Sequence, residues 1–196
     1  MRALLAIAVA ALLSAFTQAS DKPPPARAEA YFAMGCFWCA EHDMEAVPGV
    51  IEVVSGYTGG TTRNPTYEQV SAGGTGHYEA VRVIYDPRKV RYSQLLDVFW
   101  KNVDPFDPAG QFCDKGKSYR AAIFAGNAAQ RRLAEASKAG VEKRFGKPVA
   151  VRIIAKSAFY EAEGYHQDYA RMNPLRYNFY RRGCGRDARL EQVWGR

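Results

Sequence analysis

Ala28-Glu29-Ala30-Tyr31-Phe32-Ala33-Met34-Gly35-Cys36-Phe37-Trp38-Cys39-Ala40-Glu41 sets a strand, a glycine turn, a cysteine and the start of a helix in immediate succession. Ala28 to Met34 reads as the strand, and Gly35 permits the sharp turn. Cys36 to Val47 reads as the helix, stopping before Pro48 and Gly49, and Val50 to Tyr57 returns as a second strand. Cys36 therefore falls at a helix N-terminus. Free backbone N–H groups and the positive end of the helix dipole favour a thiolate there, so a depressed thiol pKa is expected. This is the setting of a nucleophile, with Phe37 and Trp38 as an apolar wall beside the sulfur.

Outward from this unit, a short helix near Tyr67 to Val70 leads into a strand from His77 to Tyr85, whose residues alternate in character and which Asp86-Pro87 closes. Ser93 starts a helix carrying Leu95, Leu96, Val98 and Phe99 on one face. A long loop, Asp104 to Ser118, holds the turn-forming pairs Asp104-Pro105, Asp107-Pro108 and Lys115-Gly116. Tyr119 to Phe124 is the next strand, Asn127 caps a helix to about Phe145, and Val149 to Ile154 forms the last strand. The order βαββαβ, with one more helix and strand, predicts an α+β two-layer sandwich around a ferredoxin-like split βαβ core. From Ala155 onward the chain is rich in Tyr, Arg and Gly, with one short helix around His166 to Met172. An irregular C-terminal tail wrapped on the core is expected, and such a tail can bring Cys184 to a distant site.

The 196 residues suffice for one well-buried domain. Met1-Arg2, the apolar run Ala3 to Phe16 and the polar, proline-rich stretch Thr17 to Pro25 have the pattern of a secretory signal peptide, with cleavage near Ala19 or Ala28. Residues 1–28 are thus read as leader and linker, residues 29–196 as a single domain, and the mature protein as exported to the periplasm or envelope. The apolar run is too short to span a membrane comfortably, so no stable membrane insertion is expected after leader removal. The net charge of +7 raises a nucleic-acid partner, but the arginines are scattered. Their densest cluster, Arg181-Arg182 with Arg186 and Arg189, belongs to no nucleic-acid motif, and a soluble basic surface with no nucleic-acid partner is the better reading.

Four cysteines in an exported chain allow two structural disulfides with three pairings. Against that, the Cys36-x-x-Cys39 spacing flanked by aromatics is typical of redox or metal chemistry. A zinc site needs two more grouped ligands, which Cys113 and Cys184 do not form as a second Cys-x-x-Cys pair, so no metal is expected.

Beyond the run Gly35 to Glu41, the chain carries Gly56-Tyr57-Thr58-Gly59-Gly60, Asn64-Pro65-Thr66-Tyr67 and Gly76-His77-Tyr78-Glu79-Ala80-Val81. Asp114-Lys115-Gly116-Lys117-Ser118-Tyr119-Arg120, Tyr165-His166-Gln167-Asp168-Tyr169 and Asn173-Pro174 follow. This ordered set, covering roughly three quarters of the chain, resembles the A-type peptide methionine sulfoxide reductases. The resemblance implies reduction of methionine S-sulfoxide, free or in oxidised proteins, as a repair reaction. Cys36 would attack the sulfoxide sulfur and become a sulfenic acid. A second cysteine would then form a disulfide, reduced by thioredoxin or a thioredoxin-like donor, with no bound cofactor. Glu79 matches the family acid, Tyr67 and Tyr119 the oxygen-binding phenols, Phe37 and Trp38 the methyl pocket, and Asp114 the acid of the Asp-x-Gly loop. A monomer is expected.

Each position also has a plainer reading. Tyr67 and Tyr119 could be core tyrosines, Glu79 a solvent-facing strand residue, and Asp114 a turn former. His77 and His166 could orient loops, and Glu41 could complement the helix dipole. The chain departs from the best-known family pattern after Asn173-Pro174, where no cysteine follows closely. Cys184, between Gly183 and Gly185, is the preferred resolving residue, with Cys39 and Cys113 as alternatives. Two other functions stay open: a thiol-disulfide oxidoreductase, which needs both Cys36 and Cys39 but has little use for Glu79, and a disulfide-stapled binding protein with no reactive thiol.

Overall fold

The computed structural model describes residues 27–195. The expected leader lies outside the described residues except for its last two positions. The elements run β1 (Ala28–Ala33), α1 (Phe37–Glu45), β2 (Val50–Thr58), α2 (Tyr67–Ala72), β3 (Tyr78–Tyr85), α3 (Tyr92–Lys101), β4 (Gly110–Gln111) and β5 (Asp114–Lys115). They continue with β6 (Ala122–Ala125), α4 (Ala128–Phe145), β7 (Arg152–Ala155), β8 (Phe159–Glu161), α5 (Tyr169–Met172), α6 (Pro174–Gly183) and α7 (Arg186–Trp194). Among the described residues no helix is long and apolar enough to cross a membrane.

Six strands form one sheet in the order β7-β6-β1-β3-β2-β8, antiparallel except for the β6–β7 pair. Because β3 lies between β1 and β2, the connection through α1 crosses an antiparallel strand. Phe32 of β1 stands opposite Val81 of β3 and Ile123 of β6, and all three point into the main core with Leu95, Leu96 and Phe99 of α3. Burying each such side chain contributes roughly 2 kcal/mol. The alternate residues Tyr31, Ala33, Tyr78, Ala80 and Phe124 pack as a second cluster on the other face, against Ile154 and Phe159. Side chains on both faces of the central strands are buried, which explains why these strands read as nearly continuous apolar runs.

Helix α4 follows its sequence signals closely. Asn127 accepts a hydrogen bond from the Gln130 N–H at 2.9 Å, and Gly146 ends the helix with φ +65°. The loop from Asp104 to Ser118 holds the small β4–β5 ribbon.

The tail is the principal correction. It is not irregular: it forms β8, which extends the sheet, and then three helices. Pro174 occupies the first turn of α6, where its missing N–H has no cost, and Gly185 at φ +64° separates α6 from α7. Leu190 and Trp194 of α7 enter the core, and the Trp194 indole N–H donates to the Val103 carbonyl at 3.0 Å. Burial of these apolar positions at helical spacing outweighs the flexibility suggested by the glycines.

Candidate active site

Gly35 turns the chain out of β1 with φ +86°, and a Cβ there would lie 2.6 Å from the Gln111 Cβ. Neither that backbone nor that contact admits a side chain. Cys36 follows as the N-cap of α1, its carbonyl accepting from the N–H groups of Cys39 and Ala40, both at 3.2 Å. The next N–H, that of Phe37, donates to Glu79 Oε2 at 3.1 Å. Glu79 is thereby tied from β3 to the first turn of the cysteine's helix. It is only 2 % exposed, which excludes the solvent-facing reading. Burial pushes its pKa up to about 8, against partial opposition from the Phe37 N–H and the Tyr119 hydroxyl, which both favour the charged form.

Cys36, Phe37, Trp38, Tyr67, Glu79, Asp114, Tyr119 and Tyr180 line one cavity of about 80 Å³. All except Tyr180 were singled out in the sequence. A water occupies about 30 Å³ of liquid, and a dry cavity of about 150 Å³ takes benzene. The cavity therefore has room for a methyl sulfoxide end and not for a peptide.

The depressed pKa expected for Cys36 is overturned. Burial is the largest influence and raises it well above its ordinary value. The hydrogen bond with Cys39 acts in the same direction, and only the Tyr180 hydroxyl opposes them. The helix dipole acts at a terminus, but here desolvation outweighs it. Cys39 goes the other way. Its pKa is lowered to about 7, first by the hydrogen bond from Cys36 and then, against burial, by the nearby guanidinium groups of Arg186 and Arg181. The two thiols thus share a proton, and the pair first ionises with the charge toward Cys39.

Trp38 is held on three sides. Its indole N–H donates to His166 Nδ1 at 3.1 Å, its ring stacks on Tyr169 at 3.7 Å, and Tyr180 stands edge-on at 5.8 Å. His166 is buried, and desolvation lowers its pKa, so the ring is neutral with its hydrogen on Nε2. Glu163 accepts from the Tyr57 hydroxyl at 2.8 Å and from the Tyr67 N–H at 2.9 Å, which fixes the start of α2. His77 orients a loop: its Nδ1 accepts from the Gly60 N–H at 3.2 Å, while Nε2 lies 2.7 Å from the Thr62 carbonyl. Glu41 is buried rather than exposed at its helix surface, and burial pushes its pKa up to about 7, opposed by the nearby backbone N–H groups of Asp168 and Tyr169.

Asp114 Oδ2 accepts from the Tyr180 hydroxyl at 2.5 Å. The adjacent Cys113 is exposed and bonded to Cys184, with Cα atoms 4.8 Å apart, while Cys36 and Cys39 are free and buried. Cys184, preferred from the sequence as the partner of Cys36, is in this state the partner of Cys113. That disulfide also removes two of the three donors from the Cys113, Asp114 and Cys184 grouping, leaving one carboxylate for any metal. Sequence reasoning missed Tyr180, Glu163 and Tyr169. The spacing of Tyr177, Tyr180 and Cys184 on one side of a helix was the available signal for the first.

Residues 28–196 match the family model described as peptide methionine sulfoxide reductase. The chain belongs to this family. It is 52 % identical over 196 residues to peptide methionine sulfoxide reductase MsrA 2 of Caulobacter vibrioides, covering 100 % of both chains. The reduced form of Mxr1 from Saccharomyces cerevisiae superposes with a TM-score of 0.73 at 30 % identity, over 77 % of this chain and 88 % of that one. Mxr1 in complex with Trx2 superposes at 0.53 and 22 % identity, over 77 % and 91 %. The mixed α+β architecture is the one these neighbours share. The protein is accordingly an oxidoreductase that reduces methionine sulfoxide in a thiol-dependent reaction.

Proposed function

We propose that Cys36 is the nucleophile and Glu79 the acid in reduction of methionine S-sulfoxide, free or within oxidised proteins. The observation carrying this assignment is the Phe37 N–H to Glu79 bond, which fixes a buried neutral carboxyl beside the helix start that carries the thiol. The Cys36 sulfur attacks the sulfoxide sulfur while the Glu79 proton goes to oxygen. This first gives a sulfur–sulfur bond to Cys36 with the hydroxyl on the former sulfoxide sulfur; the hydroxyl then passes to the Cys36 sulfur as the S–O and sulfur–sulfur bonds break, so that methionine leaves and Cys36 is a sulfenic acid. Tyr67 and Tyr119, whose pKa values burial raises, remain protonated donors toward that oxygen. Trp38 and Phe37 form the wall for the methyl group.

Cys39, already hydrogen-bonded to Cys36, resolves the sulfenic acid, giving a Cys36–Cys39 disulfide and water. A macromolecular reductant cannot reach that pair, because Cys36 is 6 % and Cys39 2 % exposed. The oxidising equivalent therefore passes by thiol-disulfide exchange to Cys113 and Cys184, whose bond lies at the surface beside the pocket residue Asp114. A thioredoxin-like dithiol then reduces it. The Mxr1–Trx2 complex supports a partner of this class. We further propose, from the leader sequence, that the mature protein is an exported monomer of the periplasm or envelope; fractionation and sedimentation test both points.

The deciding experiment supplies separated S- and R-sulfoxide peptides with dithiothreitol to native protein and Cys36→Ser. Turnover of the S form alone, lost in the variant, is expected. Turnover by Cys36→Ser would remove the assignment.

A further inference from the structure

Six large apolar side chains are exposed among the described residues, and four of them fall between positions 165 and 179. Tyr165 is 59 % exposed, Met172 66 %, Leu175 87 % and Phe179 83 %. Scattered apolar residues on a surface are ordinary, but this concentration lies on the segment that supports the pocket. Tyr165 packs on His166 at 4.2 Å, Met172 shares α5 with the Tyr169 ring stacked on Trp38, and Leu175 and Phe179 share α6 with Tyr180.

The charge on this segment is one-sided. Residues 169–183 include four arginines and no Asp or Glu. Arg171 pairs with Asp168, and Arg181 with Asp43 and Asp187. Arg176 and Arg182 are exposed and form no ion pair among the described residues. Exposed apolar and cationic side chains thus lie together along α5 and α6.

Resting on the reductase reading above, we propose that this α5–α6 face holds the polypeptide flanking the oxidised methionine. It favours segments with acidic and apolar side chains two to four residues from the sulfoxide. The cavity takes only the methyl sulfoxide end, so discrimination among proteins must occur outside it. An extended segment advances about 3.4 Å per residue, so two to four residues span about 7–14 Å, from about half to the whole of a helix diameter of about 10–12 Å. The reductant has its own address. Leu175 stands nine positions before Cys184, about 13 Å along a helix axis, at the end of α6 that follows α5.

The test compares kcat/KM for two sulfoxide peptides of equal length, one with Leu, Phe, Asp and Glu flanks and one with Ser and Lys flanks. Native protein is expected to prefer the first about tenfold, through KM. Leu175→Ser with Phe179→Ser should abolish the apolar part, and Arg176→Glu with Arg182→Glu should reverse the charge preference. Turnover of free methionine sulfoxide should be unchanged in both double variants. Equal ratios in native and variant proteins would overturn the proposal. So would loss of binding to phosphatidylglycerol vesicles in the variants with the peptide ratio unchanged, since the face would then serve a lipid surface. Absence of turnover of free sulfoxide and of both peptides by native protein would instead bring down the reductase reading itself.

Discussion

Glu79→Gln separates the acid from every other property of its position. The amide keeps an oxygen to accept the Phe37 N–H bond but has no proton to give at any pH. In the native protein the carboxyl has a pKa of about 8, so it is about nine-tenths protonated one unit below that value. Its acid function is present below pH 8 and fades as pH rises through it. The thiol pair must also have lost its first proton, near 7. The rate of methionine release should therefore form a bell with its top between about pH 7 and 8. Glu79→Gln should lower that rate by about 10²–10⁴ and remove the alkaline limb. Stability moves the opposite way. A carboxyl raised from its ordinary 4.5 to about 8 contributes fully to stability below 4.5 and loses that contribution as pH rises through 8. At about 1.4 kcal/mol per unit, the loss is at most about 5 kcal/mol, and the amide does not suffer it. Single-turnover methionine release without reductant reads the first effect, and urea midpoints at acid and alkaline pH read the second. A variant with an unaltered rate and the same alkaline limb would refute the reasoning.

Cys39→Ser should still release one methionine per protein, more slowly at neutral pH because Cys36 loses the thiol that shares its proton, and should stop thioredoxin-driven cycling, with a sulfenic acid accumulating that dimedone traps; accumulation in Cys184→Ser instead would transfer the resolving role to Cys184. Gly35→Ala should cost about 1–3 kcal/mol in urea unfolding, because both φ +86° and the approach to Gln111 oppose a methyl group. His166→Phe removes the acceptor of the Trp38 indole N–H, so KM for free sulfoxide should rise and Trp fluorescence should shift. Arg186→Met removes a guanidinium that lowers the Cys39 pKa, and the pH midpoint of Cys39 alkylation, followed by mass spectrometry, should move up from about 7.

What could be read in the sequence was what neighbouring residues decide. The strand, turn and helix around Gly35 and Cys36 depend on local backbone preferences, and α4 has both a capping Asn127 and a terminating Gly146. The tail was misread because its helices are fixed by partners far away in sequence: Arg186 donates to the carbonyls of Met34 and Asn102, and Trp194 to that of Val103. The thiol pKa failed for the same reason. The dipole of α1 is visible in its own sequence, whereas the burial of Cys36 depends on residues from β3, α6 and the Asp114 loop. Tyr180 entered the site with α6, and a reader who took that segment as irregular had no reason to choose it among twelve tyrosines.

The raised carboxyl and the shared thiol proton are better understood together than separately. Charges on both the thiol pair and Glu79 in a cavity of about 80 Å³ would repel strongly at low dielectric, and the site avoids holding both. With the pair losing a proton near 7 and Glu79 keeping its own to about 8, the two thiols and Glu79 together carry one charge between those values, and it rests on sulfur. Reaction does not change that number. As Cys36 takes the hydroxyl and Glu79 gives up its proton, the charge passes from the thiols to the carboxylate, where the Phe37 N–H and the Tyr119 hydroxyl already stand as donors. Those donors bind the ionised carboxylate more strongly than the acid, so they favour the product side of the proton transfer. A helix start that fails to make Cys36 a free thiolate at rest still serves the reaction, because its first N–H is directed at the acid that becomes charged.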